Sequence, residues 1–358
     1  MRCKLTSCYR YIYILIVCGL GSCIEPFDLS IEQQAGIVSI NGRITNADEP
    51  QYVFIGSTSA ENRVANPIGG AEVALFDNFG NSWQYFEELP GTYVIPVGGV
   101  NALPGNSYHI EVVLPNGNVY TSEPEQMPAL LVKDSIYYRF NTLSEINENG
   151  IEVSQNVFEV YIDSEIPQTT EPLYLKWEIE EAWELKPTDF PDPFGVIPPP
   201  CFYSSYPDPQ RINLYNSLEE RSGSFRSRLM AQTQVGRPFV SRYASNVYQY
   251  ALTEATYTYW NNVRKNIEQT GSIFDIPPAL ISGNVTNVED ENEIVFGHFS
   301  AAMVKASRVI VRLEEVPFFI LDECLFNPQV FRRDYPAICL DCEAFTKNLI
   351  LRPSYFPK

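Results

Sequence analysis

The chain has 358 residues, with 44 Asp plus Glu against 25 Lys plus Arg, a formal charge of −19 at pH 7. That balance argues against nucleic acid, where affinity comes mainly from cations neutralising phosphates. Two histidines, His109 and His298, leave little for His-rich metal sites or His relays. A content of 45 % hydrophobic and 13 % aromatic residues excludes a disordered chain and supplies enough core for two medium domains.

The first 22 residues read as a signal peptide. Arg2, Lys4 and Arg10 form a basic start, and Tyr11 to Leu20 is a mostly apolar run, too short to span a bilayer. Leu20-Gly21-Ser22-Cys23 follows and resembles a bacterial lipobox. Cleavage before Cys23 would make its sulfur the site of lipidation, with diacylglycerol and a further acyl chain such as palmitate. Two or more chains make a stable anchor. The mature chain would keep 22 basic against 44 acidic residues, a formal charge of −22. Anionic lipid would not attract it, so the acyl chains alone would hold it. Residues 23–35 form a tether, and Ile24 rather than Asp after the cysteine points to the outer membrane. The cell surface is favoured over the periplasmic face.

From residue 36 the pattern turns to short alternating runs between turn signals. Ile37–Ile44, Gln51–Ile55, Ala71–Phe76, Gly91–Ile95 and Ser107–Leu114 are predicted strands, and Asn116-Gly117 predicts a hairpin. Residues 36–128 therefore read as an N-terminal β sandwich. The run from Gly70 through Asn116-Gly117 resembles the carboxypeptidase-regulatory-like, transthyretin-type sandwich, which implies a spacer or docking module. Pro124 and Pro128 mark a boundary. Residues 129–318 read as a second β domain, with strands at Ser135–Phe140, Val157–Ile162, Leu173–Ile179, Ile212–Tyr215, Val247–Ala251, Ile294–Ser300 and Ala306–Leu313. Eight prolines between 187 and 209 predict an extended loop there. A helix is predicted over about 254–269, with Thr253 as its N-cap. Residues 319–358 form a cysteine-containing tail. The expected fold class is mainly β: two tandem Ig- or transthyretin-like sandwiches, one helical segment in the second, and a disulfide-bearing tail.

Cys201, Cys324, Cys339 and Cys342 are an even set outside the cytosol, which favours disulfides over zinc or a redox Cys-x-x-Cys. The preferred pairing joins Cys201 to one of the C-terminal three, pinning the Pro-rich loop to the tail. No catalytic, metal or cofactor site is expected. Glu178, Glu180, Glu181 and Glu184 are read as an exposed acidic strand rather than an acid/base pair. Asp290-Glu291-Asn292-Glu293 is read as a solvated turn rather than a calcium loop, and His298 as an ordinary strand histidine. Tyr257-Thr-Tyr-Trp-Asn is read as helix-to-sheet packing rather than a ligand platform. Phe190, Phe194, Phe202, Tyr203 and Tyr206 sit in the stiff Pro-rich segment and are the candidates for ligand or partner contact.

Cys23-Ile-Glu-Pro-Phe, Ile40-Asn-Gly-Arg-Ile44, Tyr257-Thr-Tyr-Trp-Asn-Asn262, Gly271-Ser-Ile-Phe-Asp275, Pro277-Pro-Ala, Ser282-Gly-Asn-Val285 and Ile294-Val-Phe-Gly-His-Phe-Ser300 together resemble the Bacteroidota lipoprotein family catalogued as domain of unknown function 4249. His298 stands where an aromatic Tyr is expected. The family has no settled activity; its setting implies an accessory role beside a TonB-dependent receptor in nutrient uptake, and with no catalytic constellation in the sequence the expected protein is an outer-membrane lipoprotein acting as a non-enzymatic binding or accessory subunit. The alternatives are a structural or assembly factor of the envelope and, less favoured, a surface hydrolase. The expected contacts are the membrane through Cys23 and such a receptor.

Overall fold

The computed structural model describes residues 36–59, 66–129, 132–146, 148–191, 198–220, 224–269, 281–343 and 348–356. Cys23, Phe194, Gly271–Asp275 and Pro277 lie outside them.

The first unit is built from β1 (Val38–Thr45), β2 (Gln51–Ser57), β3 (Asn66–Pro67), β4 (Glu72–Asp77), β5 (Ser82–Gln84), β6 (Phe86–Leu89), β7 (Thr92–Ile95), β8 (Ser107–Val113), β9 (Val119–Ser122) and β10 (Glu125–Gln126). Alternation drives these strands: Val38, Ile40 and Ile44 of β1 and Tyr108, Ile110 and Val112 of β8 are all buried in one core. The second unit holds β11 (Lys133–Ile146), β12 (Glu152–Glu165), β13 (Tyr174–Leu185), β14 (Cys201–Ser205), β15 (Asn213–Asn216), β16 (Ser224–Gln234) and β17 (Arg242–Leu252). Then come α1 (Glu254–Gln269), β18 (Val285–Asn287), β19 (Phe299–Arg312), the short α2 (Ala337–Leu340) and β20 (Leu349–Ile350). The protein is mainly β.

The two units are not simple beads on a string. An eleven-stranded sheet runs β20-β14-β13-β17-β19-β1-β2-β7-β6 through both, with β15 and β3 added at its sides. The seam is β19, which pairs in parallel with β1 (Gly42 opposite Phe299) and antiparallel with β17. A six-stranded sheet, β18-β9-β8-β4-β5 with β10, closes the first core, and the three-stranded β11-β12-β16 closes the second. The sequence boundary at 128/129 placed all of 129–318 in the second unit. Instead β18 pairs with β9, and Phe299 and Ala301 of β19 lie in the first core. Strands β1 and β9 each have one partner within the first unit, β2 and β8, and residues 285–302 supply the second.

Two further differences have local causes. The Pro-rich segment contains a strand, β14, since no proline falls within 201–206 and its backbone donors are free to pair with β13 and β20. Strand β16 carries Ser224, Arg226, Ser227 and Arg228 on a half-exposed sheet edge, so its apolar alternation is too weak to read. Disulfides join Cys201 to Cys342 and Cys324 to Cys339. The first buries Cys201 and Cys342 with Leu185 and Tyr203, and ties the tail to the edge of the large sheet.

Candidate functional site

Period-2 geometry splits the large sheet into two faces. On β13, Leu175, Trp177 and Ile179 enter the second core, which leaves Tyr174, Lys176 and Glu178 on the other face. On β17, Val247 and Ala251 go inward while Tyr250 and Leu252 join that same outer face. On β19, Phe299 and Ala301 go inward, so Ser300, Ala302 and Val304 point outward; on β1, Asn41 and Arg43 do. Helix α1 lies across this face. Thr253 caps it, its hydroxyl accepting from the Thr256 N–H at 3.1 Å. Between helix and sheet lies a cleft of about 860 Å³, within the range of small-molecule sites.

The floor of the cleft is an ion cluster. Glu178 Oε1 accepts from Lys176 Nζ at 2.8 Å and from Arg43 at 2.9 Å. Lys176 is 5 % exposed, and its ammonium stands 3.2 Å from the centre of the Trp260 ring. Arg43 lies 4.1 Å from the centre of the Tyr250 ring. Burial pulls the Lys176 pKa down to about 8, against the opposing pull of Glu178. Burial also works to raise the Glu178 carboxyl, but Lys176 and then Arg43 outweigh it and hold it at about 2. Burial raises the phenols of Tyr250 and Tyr206. The cluster is therefore charged at neutral pH, two cations to one carboxylate.

A second cluster closes the end of the cleft beside the helix N-terminus. Glu125 accepts from the hydroxyls of Thr253 at 2.5 Å and Thr256 at 3.1 Å, a carboxylate placed where the helix dipole favours one. Burial raises its pKa, opposed by those two hydroxyls. Thr256 Oγ1 is 2.9 Å from His298 Nε2, and the Tyr259 ring stacks on the imidazole at 4.6 Å. His298 is 7 % exposed; burial lowers its pKa to about 4, so it is neutral. Its Nδ1 has no hydrogen-bond partner among the described residues. Gly297 fixes the position of this histidine. Its φ is +96°, and a Cβ there would lie 2.1 Å from the Ile40 carbonyl oxygen.

The sequence-predicted residues fall differently. Tyr206 lines the cleft and is 61 % exposed. Phe202 and Tyr203 are buried, Phe202 against Phe356 and Tyr203 against Trp183 with its hydroxyl on the Cys342 carbonyl. Both belong to the sheet's own packing, and a buried ring offers no contact surface. Phe190 packs between Tyr335 and Phe326 of the tail. The acidic run is not an exposed strand: β13 is central, and Glu181 and Glu184 are buried. Glu181 accepts from Ser205, Thr233 and Tyr243; Glu184 accepts from Ser241. Tyr257 does pack against Tyr174, but Tyr259 and Trp260 of the same motif form cleft wall. His298 lines the cleft, and its buried Nδ1 is unpaired among the described residues, unlike that of a satisfied strand histidine. Asp290 accepts from the Asn292 N–H within its own turn, and Glu293 accepts from Tyr120. Among the described residues no three His, Cys, Asp or Glu side chains gather into a metal-binding group, and no helix is long and apolar enough to cross a membrane.

A family model matches residues 24–308, most of the chain and every residue that lines the cleft. The chain belongs to the family described as Domain of unknown function (DUF4249). Its matched span includes Arg43, Lys176, Glu178, Trp260 and His298 and ends before both cysteines of the Cys324–Cys339 bridge. No curated protein matches the chain.

Proposed function

We propose that this is a lipid-anchored outer-membrane protein that binds a small ligand in the cleft and serves as an accessory subunit beside a TonB-dependent receptor. The observation that carries the binding role is the preformed cleft itself, with fixed cations on its floor and an aromatic helix over them. Donors held in place before a ligand arrives reduce the ordering cost of binding. The anchor rests on the Leu20-Gly21-Ser22-Cys23 sequence. Lipidation would confine the body near the membrane and raise its effective concentration at a receptor, so weak contacts would suffice. The receptor rests on the setting that the family resemblance implies.

The test is affinity isolation of tagged protein from gently solubilised membranes, with Cys23→Ala in parallel. The wild type is expected in the outer-membrane fraction, acylated, and with a TonB-dependent receptor among its partners. Cys23→Ala is expected in the soluble fraction. A membrane-bound Cys23→Ala protein refutes the anchor, and a wild-type isolate without such a receptor refutes the accessory role.

A further inference from the structure

We propose that the cleft takes a monoanionic, hydroxylated ring, that is a sugar acid, with its carboxylate at Arg43 and Lys176 and a hydroxyl at His298. This rests on the reading of the cleft as a ligand site and adds the chemical class.

Three features specify that class. The first is charge. Arg43 and Lys176 share one carboxylate oxygen of Glu178, which leaves a single uncompensated positive charge on the floor. The other charged residues lining the cleft, Glu49, Asp208 and Arg211, stand at its exposed rim, where water screens them. The Arg43 side chain is 36 % exposed and reachable from the cleft it lines, and a guanidinium beside an ammonium suits a carboxylate.

The second is the orphan nitrogen. The Thr256 hydroxyl donates to Glu125, so its oxygen accepts from His298 Nε2–H. The ring proton is thereby fixed on Nε2, and Nδ1 is left as a bare lone pair without a partner among the described residues. A ligand hydroxyl would satisfy it, since a neutral imidazole nitrogen accepts from an O–H.

The third is shape. Tyr52, Phe54, Tyr206, Tyr259 and Trp260 line the cleft. Aromatic faces pack against the C–H faces of a sugar ring while its hydroxyls point to the polar groups. The backbone joins the cationic and histidine ends, since Gly42 N–H donates to the His298 carbonyl and Arg43 pairs in register with Ser300. One small molecule can therefore touch both.

The experiment is calorimetric titration of the detergent-solubilised full-length protein with three probes: D-glucuronate, D-glucose and cyclohexanecarboxylate. Glucuronate carries both determinants and the other two carry one each. Glucuronate is expected to bind at least about tenfold more tightly than either, the ratio expected for one charge-assisted or buried hydrogen bond. Arg43→Gln is expected to weaken glucuronate by about tenfold or more. If that variant does not fold, the wild-type comparison among the three probes still decides. Glucose binding as tightly as glucuronate, or no saturable glucuronate binding at millimolar concentration, overturns the assignment. Either result leaves receptor co-purification as it was found, so failure of the ligand class and failure of the accessory role are read separately.

Discussion

The Lys176 ammonium sits 3.2 Å from the centre of the Trp260 ring while it donates to Glu178. One nearly buried cation thus pins helix α1 to the large sheet. Such a contact contributes about 1–2 kcal/mol when desolvated. The partners of the cluster should respond unequally to substitution. Glu178→Gln leaves two neighbouring cations without their carboxylate and is expected to cost about 3–5 kcal/mol. Lys176→Met keeps the Arg43–Glu178 pair and replaces a buried charge with an apolar stem, so its effect should fall within about 1 kcal/mol of zero. Urea denaturation at pH 7 measures both, and equal losses would refute this account of the cluster.

Acid should weaken the fold in two successive, slightly overlapping windows. His298 titrates at about 4 in the fold against 6.5 unfolded. Between those values the unfolded chain holds the extra proton, so stability falls as pH drops from 6.5 toward 4, by roughly 3 kcal/mol. Glu178 titrates at about 2 in the fold against 4.5 unfolded. Its contribution is complete above 4.5 and is lost as pH falls toward 2, again on the order of 3 kcal/mol. His298→Phe keeps a ring against Tyr259 and should remove the first decline alone. Urea midpoints of wild type and variant from pH 7 to 3 would show it, and an unchanged slope between 6.5 and 4.5 would exclude the histidine as its source.

The two disulfides close loops of very different length, with sequence separations of 141 and 15. On the chain-entropy estimate, Cys201→Ser with Cys342→Ser costs about 5 kcal/mol and Cys324→Ser with Cys339→Ser about 3 kcal/mol. Guanidinium unfolding of the two double variants should preserve that order. Fragment masses from a non-reduced digest check the pairing directly, and a Cys201–Cys324 or Cys201–Cys339 fragment would contradict it.

Gly297→Ala should be among the most damaging single changes outside the cores. The residue occupies a φ of +96°, and a methyl there meets the Ile40 carbonyl at 2.1 Å. The expected cost is about 2–4 kcal/mol, together with displacement of His298. Thermal unfolding gives the first and ligand titration the second. A variant with wild-type melting temperature would show that the backbone at 297 can relax.

Much of the fold was legible because its signals are local. The Thr253 cap and the apolar spacing after it marked α1, and alternation marked β1, β8, β13 and β17. The even cysteine count pointed to disulfides. The cleft was not legible, because its residues come from distant segments. Arg43 and Glu178 are 135 positions apart, and the β1–β19 pairing that brings His298 beside Asn41 and Gly42 is long-range and parallel. One signal was present in β13. Leu175, Trp177 and Ile179 alternate with Lys176 and Glu178, which already puts both charges on a single face of a strand apolar on the other. Reading the acidic residues 178–184 as a solvated run overlooked that alternation. Phe202 and Tyr203 misled for a different reason: prolines on both sides suggested an exposed loop, but the six residues between Pro200 and Pro207 are free to form a ladder.

The placement of β1 has a mechanical meaning. It is the first strand among the described residues, and it lies inside the large sheet between β2 and β19 rather than at an edge. A tug on the chain's leading end therefore loads the ladders on both sides of β1 in shear. Those bonds would share the load instead of unzipping one at a time.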